Sequence, residues 1–479
     1  MTPDAAPVVV VGGGVAGPAT ALALARRGLP VRLLDRGVPP PDGPAAKAAQ
    51  LWERPTVPQC GHSHILNSLG VRALRQWAPD VLCTLLEEGA GLLDVTAAAP
   101  GAGVRDPELV ALAARRNLLD LVLHRAVADE PWATVEYGTT VRGVWLDAAR
   151  SRVRGVATDR GERIPARLVV DATGRRAASR VWLADAGVQV ADDLTATSRL
   201  RCFTRFYRLT EPAVEPPGPL NRGNAAGGIF DHYAAVVHPA DNGVFAVSIG
   251  VLPRDAPTDA LHRPAAFTAA ARLTPHLAAW TDPRHATPMT GVRPIGVLPN
   301  ALRGTVRRGP HQVAGLYPVG DAACVTDPLY GRGLSLALQH AFRLADLLVA
   351  HPRVDRTQTE EAVRLVDRVL RPWYEQSVHD VRARALLWSA RADGLEPPAQ
   401  PPAAPGRPSL AEAGRAAAHD PAVWHSMIRF LMGLRTPAEV FDSAAFCAGV
   451  RAGADRPPAG PPPPSRQELV RALAAAGED

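Results

Sequence analysis

An α/β fold is what this sequence predicts, on three observations. Val8-Val9-Val10-Val11 is a β-branched run that enters Gly12-Gly13-Gly14-Val15-Ala16-Gly17 at once. Leu168-Val169-Val170-Asp171 and Tyr317-Pro318-Val319 repeat the pattern of a short buried strand that ends before a glycine or an acid. Beyond about residue 356 the periodicity turns helical. Together they predict a Rossmann-type dinucleotide unit, a β-sheet domain and a helical C-terminal region.

The first element is the most specific. In Gly12-x-Gly14-x-x-Gly17 the first glycine permits the tight turn and the second lets a pyrophosphate approach the backbone. The third lets helix and strand pack closely, and phosphate sits on the helix N-terminus. Pro18 falls in the first helical turn, where a missing N–H costs little, and Ala19 to Arg27 continue an Ala/Leu-rich helix that ends before Gly28. Val31 to Asp35 is the second strand. Asp35 follows Gly12 at the spacing, about 20 residues, at which an acid meets a ribose hydroxyl pair. This unit alone does not choose between NAD and FAD.

Two later segments choose. Leu168-Val169-Val170-Asp171-Ala172-Thr173-Gly174-Arg175 is one. The other runs from Tyr317-Pro318-Val319-Gly320-Asp321-Ala322-Ala323 to Asp327-Pro328-Leu329-Tyr330-Gly331-Arg332-Gly333-Leu334-Ser335. With the glycine unit they resemble the class A flavoprotein monooxygenases, the para-hydroxybenzoate hydroxylase-like family, from about residue 8 to 350. That resemblance implies FAD held by Gly12, Gly14, Val15, Ala16, Gly17, Asp35, Arg36, Arg54, Arg116, Gly320, Asp321, Pro328, Gly331, Gly333, Leu334 and Ser335. Gly320 and Asp321 would contact the pyrophosphate and ribityl chain, and Pro328 would lie near the reactive edge of the flavin. The N–H groups of Gly333 to Ser335 would meet the pyrimidine oxygen, Arg116 would stand on the family's R-x-x-L helix, and Arg54 would pack beside the flavin. Two departures stand out: Cys324 replaces a histidine common after GDAA, and Asp-Ala-Thr-Gly-Arg-Arg replaces the segment linked to reduced-nicotinamide handling.

Val57-Pro58-Gln59-Cys60-Gly61-His62-Ser63-His64-Ile65-Leu66 resembles a VPQxxHxHxL segment of a bacterial subgroup containing polyketide epoxidases and hydroxylases. By that resemblance Gln59 and His62 are catalytic candidates facing flavin or substrate. The alternative is that His62 and His64 cap a helix starting near Ser63. A metal site is not expected, because no second Cys/His pair matches this one. No G-x-S-x-G elbow follows a strand, which excludes a serine hydrolase of that type.

The rest of the chain sets the organisation. Residues 1–75, 104–185 and 290–355 are expected to assemble the FAD-binding domain, 76–103 and 186–289 the substrate-binding domain, and 356–479 a helical region with Pro-rich linkers at 396–408 and 457–464. Arg199 to Tyr207, Gly228 to Val237 and Gly243 to Val251 read as antiparallel strands. Phe203, Phe206, Tyr207, Phe230 and Tyr233 read as a core face before they read as a pocket. Helices are expected at Glu360 to Trp373, His379 to Ala392 and Arg466 to Ala475.

Composition narrows the function. The chain has 479 residues, 47% hydrophobic and 21% charged, enough to bury two or three domains' cores. The net charge of +6 comes with no arginine stripe interleaved with aromatics, so nucleic acid is not an expected partner. Five scattered cysteines and no run of about 20 apolar residues predict a cytoplasmic chain without a membrane span. The expected enzyme is an FAD-dependent monooxygenase, with NAD(P)H as reductant and O2 as co-substrate, acting on a small hydrophobic natural product in secondary metabolism such as antibiotic biosynthesis. A non-redox FAD-binding cyclase and a flavin dehydrogenase or oxidase are the alternatives. Monomer or homodimer, and self-reduction or a separate flavin reductase, stay open.

Overall fold

In the computed structural model the described residues are 6–101, 103–211, 216–296, 299–309, 312–398, 406–453, 456–457 and 460–476. A five-stranded parallel sheet forms the centre, in the order Leu316–Pro318, Leu168–Asp171, Val8–Val11, Val31–Asp35, Ala133–Tyr137. Val8 pairs with both Leu168 and Val31, so all four valines are buried on both faces. Helix Ala16–Ala25 leaves this strand and is buried nearly all round, which its run of Ala, Gly and Leu allows. A Cβ on Gly17 would run into the Gly12 carbonyl, so glycine there sets the helix against the strand. Helix Gly333–Ala350 packs beside it, and its Phe342 stacks on Trp77 of helix Ser68–Trp77. A meander of Val141–Leu146, Val153–Thr158 and Arg163–Pro165, not anticipated from the sequence, covers Val9, Val11 and Leu34.

The second sheet is antiparallel, in the order Ala226–Ile229, Ala234–Pro239, Val244–Val251, Arg201–Leu209, Ala286–Pro288. Two of the three strands expected here are present, while the span Gly228 to Val237 is a hairpin, Ala226–Ile229 pairing with Ala234–Pro239 across a turn at 230–233. Period-two alternation sends Phe203, Tyr207, Val237, Phe245, Val247 and Ile249 into a core against helices Pro264–Leu273 and Arg466–Ala475. Tyr233 lies in the same core and Phe230 packs against it, so the aromatic face is structural. Cys202, Thr204, Ala234, Val236, Ser248 and Gly250 take the opposite face.

Residues 76–103, expected with the sheet domain, place Val81, Leu82, Leu85 and Val95 in the core under the parallel sheet. The first two expected C-terminal helices run as Arg356–Val369 and Arg371–Ala392, breaking at Leu370 because Pro372 has no N–H to continue the first of them. Helices Leu410–Ala417, Pro421–Leu431, Pro437–Phe441 and Ala444–Ala452, which the sequence did not reveal, also join the large core. Residues 399–405, 458 and 459 of the two Pro-rich stretches lie outside the described residues. Among the described residues no helix is long and apolar enough to cross a membrane.

Candidate active site

The glycine turn and the strand end Asp35 are tied together from below. Arg54, its side chain only 2% exposed, donates from Nη2 to the Gly13 carbonyl (2.7 Å) and to Asp35 Oδ2 (3.1 Å). Its Nη1 reaches Asp120 Oδ2 at 3.4 Å, and its guanidinium lies 4.1 Å from the Trp52 ring. His124 donates from Nε2 to the same Gly13 carbonyl (2.7 Å) and accepts from the Tyr137 hydroxyl at Nδ1 (2.9 Å). Burial holds His124 below the usual histidine range, which keeps it neutral for this pair of bonds. Asp35 Oδ1 accepts from the Gly37 N–H at 3.0 Å. Arg54 is therefore at the acid end of the second strand, against the glycine turn. A guanidinium this deep goes where carboxylates and a carbonyl meet it. Arg36 is on the outside, within 3.5 Å of the Thr56 carbonyl.

Above the glycine turn several segments converge. Val15 caps helix 16–25 with no side-chain bond and no acid in the first turn; the Gly17 N–H donates to the Gly14 carbonyl (3.0 Å), and no side chain caps the N–H groups before it. A Cβ on Gly320 would come within 2.9 Å of the Ala16 Cβ, so Gly320 seals this end. Burial raises Asp321, while the charges of Arg116, Arg175 and Arg303 pull it down. Arg116 Nη2 lies 3.7 Å from where a Gly14 Cβ would be, and its Nε makes no hydrogen bond but pairs with Asp120 Oδ1 at 3.7 Å. Helix 333–350 opens with no side-chain cap: Gly333 is exposed and Ser335 Oγ is buried and unpartnered.

A cavity of about 110 Å³ lies between the outer face of the antiparallel sheet and the turn Pro328–Gly331. Ile65, Val236, Ile295, Leu329 and Leu431 supply apolar wall; Thr204 and Ser248, hydrogen-bonded to each other at 2.8 Å, supply hydroxyls.

Three comparisons bear on this geometry. Residues 7–97, which hold the glycine turn, Asp35 and Arg54, match the family model described as FAD dependent oxidoreductase. A kynurenine 3-monooxygenase of Salinispora arenicola is 27% identical over 368 residues, 72% of this chain and 73% of that one. The chain is an FAD-dependent oxidoreductase. Its fold is that of flavin monooxygenases: a probable FAD-dependent monooxygenase, PqsL, of Pseudomonas aeruginosa superposes with a TM-score of 0.55 at 17% identity, covering 81% of this chain and 98% of that one. The Diels-Alderase PyrE3 of pyrroindomycin biosynthesis superposes at 0.56 and 16% identity, over 89% of this chain and 80% of that one.

The residues of this oxidoreductase fit FAD. Two helix N-termini without side-chain caps, the buried unpartnered Ser335 Oγ, and the charges of Arg116, Arg175 and Arg303 acting on Asp321 suit two phosphates and a flavin edge. Arg175 and Arg303 were not singled out from the sequence; Arg175 stood in the quoted Asp-Ala-Thr-Gly-Arg segment, whereas Arg303 carried no local signal. Gln59 and His62 do not line the cavity. Gln59 sits in the turn Pro58–Gly61, its amide oxygen 3.2 Å from Arg175 Nε and Nη2. His62 is pushed down to about 4 by burial and by the charges of Arg293 and Arg175. The capping reading fails as well, because the next helix is Ser68–Trp77 and its cap is Asn67, which accepts from the Gly70 N–H. The cavity receives Ser63, Ile65 and Asn67 from this segment instead. Cys324 is buried and pushed up to about 12, which makes it an unreactive thiol.

Glycine substitutions separate fold from cofactor. At Gly14 a Cβ meets only Arg116 Nη2, so Gly14→Val is expected to fold with the circular-dichroism melt of the flavin-free wild type and to purify without flavin absorbance. Gly17→Val is expected to yield no folded protein. Full flavin content in Gly14→Val would place the pyrophosphate elsewhere.

Proposed function

We propose that this oxidoreductase is a monooxygenase that inserts one oxygen atom from O2, by hydroxylation or epoxidation, into a hydrophobic natural-product intermediate such as a polyketide or terpenoid. NAD(P)H is the reductant. The observation that carries the reading is the cavity, closed on one side by the turn that the family resemblance puts at the flavin's reactive edge. FAD, when bound, supplies the activation of O2. The chain supplies the surroundings. Residues 1–75, 104–185 and 290–355 hold the cofactor, and the sheet within 186–289 shapes the substrate. Ile65, Val236, Ile295 and Leu431 exclude water from the cavity, and Thr204 and Ser248 orient polar groups of the substrate. Gln59, through Arg175, and His62 act on the cofactor side.

A second reading, non-redox cyclisation, is favoured by the fold shared with a Diels-Alderase. One set of experiments separates these. The purified protein is expected to carry flavin absorbance at about 450 nm and to be bleached by NADPH without oxygen. Conversion of a polyketide or terpenoid acceptor under heavy-isotope O2 is expected to leave one labelled oxygen in the product. Conversion without oxygen or NADPH would establish the cyclase instead, and an unlabelled oxidised product a dehydrogenase or oxidase. A colourless protein that cannot be reconstituted with FAD would overturn both readings.

A further inference from the structure

One wall of the cavity carries a charge with nothing to balance it. Arg222, half-buried in the connection between strands Arg201–Leu209 and Ala226–Ile229, lines the cavity with Asn224, His238 and Tyr330. Among the described residues no carboxylate forms an ion pair with it. Burial pulls its pKa below the usual arginine range, and only Tyr330 offsets this. His238 stands beside it on strand Ala234–Pro239, its Nδ1 paired with Ser63 Oγ at 2.7 Å. Burial and the charge of Arg222 push His238 down to about 4, so the ring is neutral at physiological pH.

Three buried or half-buried arginines elsewhere among the described residues are balanced by carboxylates, and a fourth, Arg332, lies over the rings of Tyr330, Trp373 and Phe430. Arg54 meets Asp35 and Asp120, Arg115 meets Asp241, and Arg384 meets Asp327. A guanidinium taken out of water without an anion is costly, and a wall that keeps one facing empty space leaves room for the anion to arrive with the ligand. The planar fork of arginine matches a carboxylate with two parallel bonds.

We propose that Arg222, together with His238 held by Ser63, is a carboxylate subsite, and that the natural substrate is a hydrophobic molecule bearing a carboxylate. The substrate class rests on the cavity being the substrate site. Apolar wall from Ile65, Val236, Ile295 and Leu431 surrounds the remainder of the ligand.

The test uses the FAD-loaded enzyme and a matched pair of probes, cinnamate and cinnamamide, which differ in charge and hardly in shape. Binding is read by calorimetry and by the shift in flavin absorbance. Cinnamate is expected to bind about 10- to 100-fold tighter than the amide, the range of a desolvated charge-assisted pair. Arg222→Met should bring cinnamate to the level of the amide and leave the amide unchanged, with full flavin content showing that the fold is intact. His238→Ala should weaken cinnamate severalfold. Equal affinities in the wild type, an unaffected Arg222→Met variant, or no saturable cinnamate binding by a flavin-loaded enzyme would each overturn the subsite. These results do not depend on turnover: charge discrimination without labelled oxygen in any product would keep the subsite and remove the monooxygenase reading.

Discussion

Arg384→Met is expected to destabilise the folded chain by about 3–5 kcal/mol, the cost of stripping one partner from a buried ion pair. Arg384 projects from helix Arg371–Ala392 with its side chain 5% exposed, and donates from Nη2 to Asp327 Oδ2 (2.7 Å) and to the Ser198 carbonyl (2.8 Å). Asp327 is fully buried. Its Oδ1 accepts from the Leu329 N–H (2.8 Å), and its own N–H donates to Ser377 Oγ (2.8 Å) on the same helix. The turn Pro328–Gly331 is thus fastened from beneath by the C-terminal helix. Methionine fills much of the arginine's volume, so the loss reports charge rather than a cavity. It leaves a carboxylate without its cation, and the turn should loosen with it. Urea denaturation followed by flavin release should show an early loss of cofactor in the variant. Asp327→Asn combined with Arg384→Met should recover at least half of the stability, because asparagine keeps the acceptor for Leu329 and removes the charge. If Arg384→Met unfolds like the wild type, apolar packing holds the turn and the ion pair is idle.

Residues 8–35 were legible because turn chemistry is local: only glycine fits Gly12, at a φ of 113°, and only a missing side chain lets Gly17 meet the Gly12 carbonyl. The strands at 201–209, 234–239 and 244–251 were legible for a similar reason, since alternation is written in consecutive residues. The partners of Arg54 were not legible, because its position is decided by Asp35 and Asp120, and nothing nearby in the chain signals that the two carboxylates converge. The capping alternative for His62 and His64 failed because Pro58 opens a 3-10 turn and the next helix waits for Asn67. The cavity was hidden for a further reason. Ser63, Cys202, Arg222, His238, Tyr330 and Met432 come from segments spread over most of the chain, and no local pattern signals that they meet. The role of the C-terminal third, a support for the Pro328–Gly331 turn and a wall of the cavity, follows from contacts between distant segments.

Acid should unfold this protein early, and His340→Leu should delay it. His340 lies in helix Gly333–Ala350, 1% exposed, with Nδ1 unpartnered, and burial alone pushes it down to about 4 from an ordinary 6.5. The unfolded chain takes up a proton here as the pH falls below about 6.5, whereas the folded chain resists until about 4. The neutral ring's contribution is therefore complete above pH 6.5 and is lost as the pH falls to about 4, at most about 3 kcal/mol at 1.4 kcal/mol per pH unit. His62, His64 and His238 are pushed down in the same direction, to about 4, 3 and 4, so their losses fall in the same window. Against a typical total of about 5–15 kcal/mol, one such group is a sizeable fraction. Leucine offers a similar shape and leaves no orphaned nitrogen in the helix interface. Chemical denaturation of wild type and His340→Leu between pH 7.5 and pH 4.5 should give curves that diverge as the pH falls, with the variant ahead by about 2–3 kcal/mol at the acid end. Parallel curves would mean that the ring is already charged in the folded protein, with water reaching Nδ1 beside the helix that carries Gly333 and Ser335.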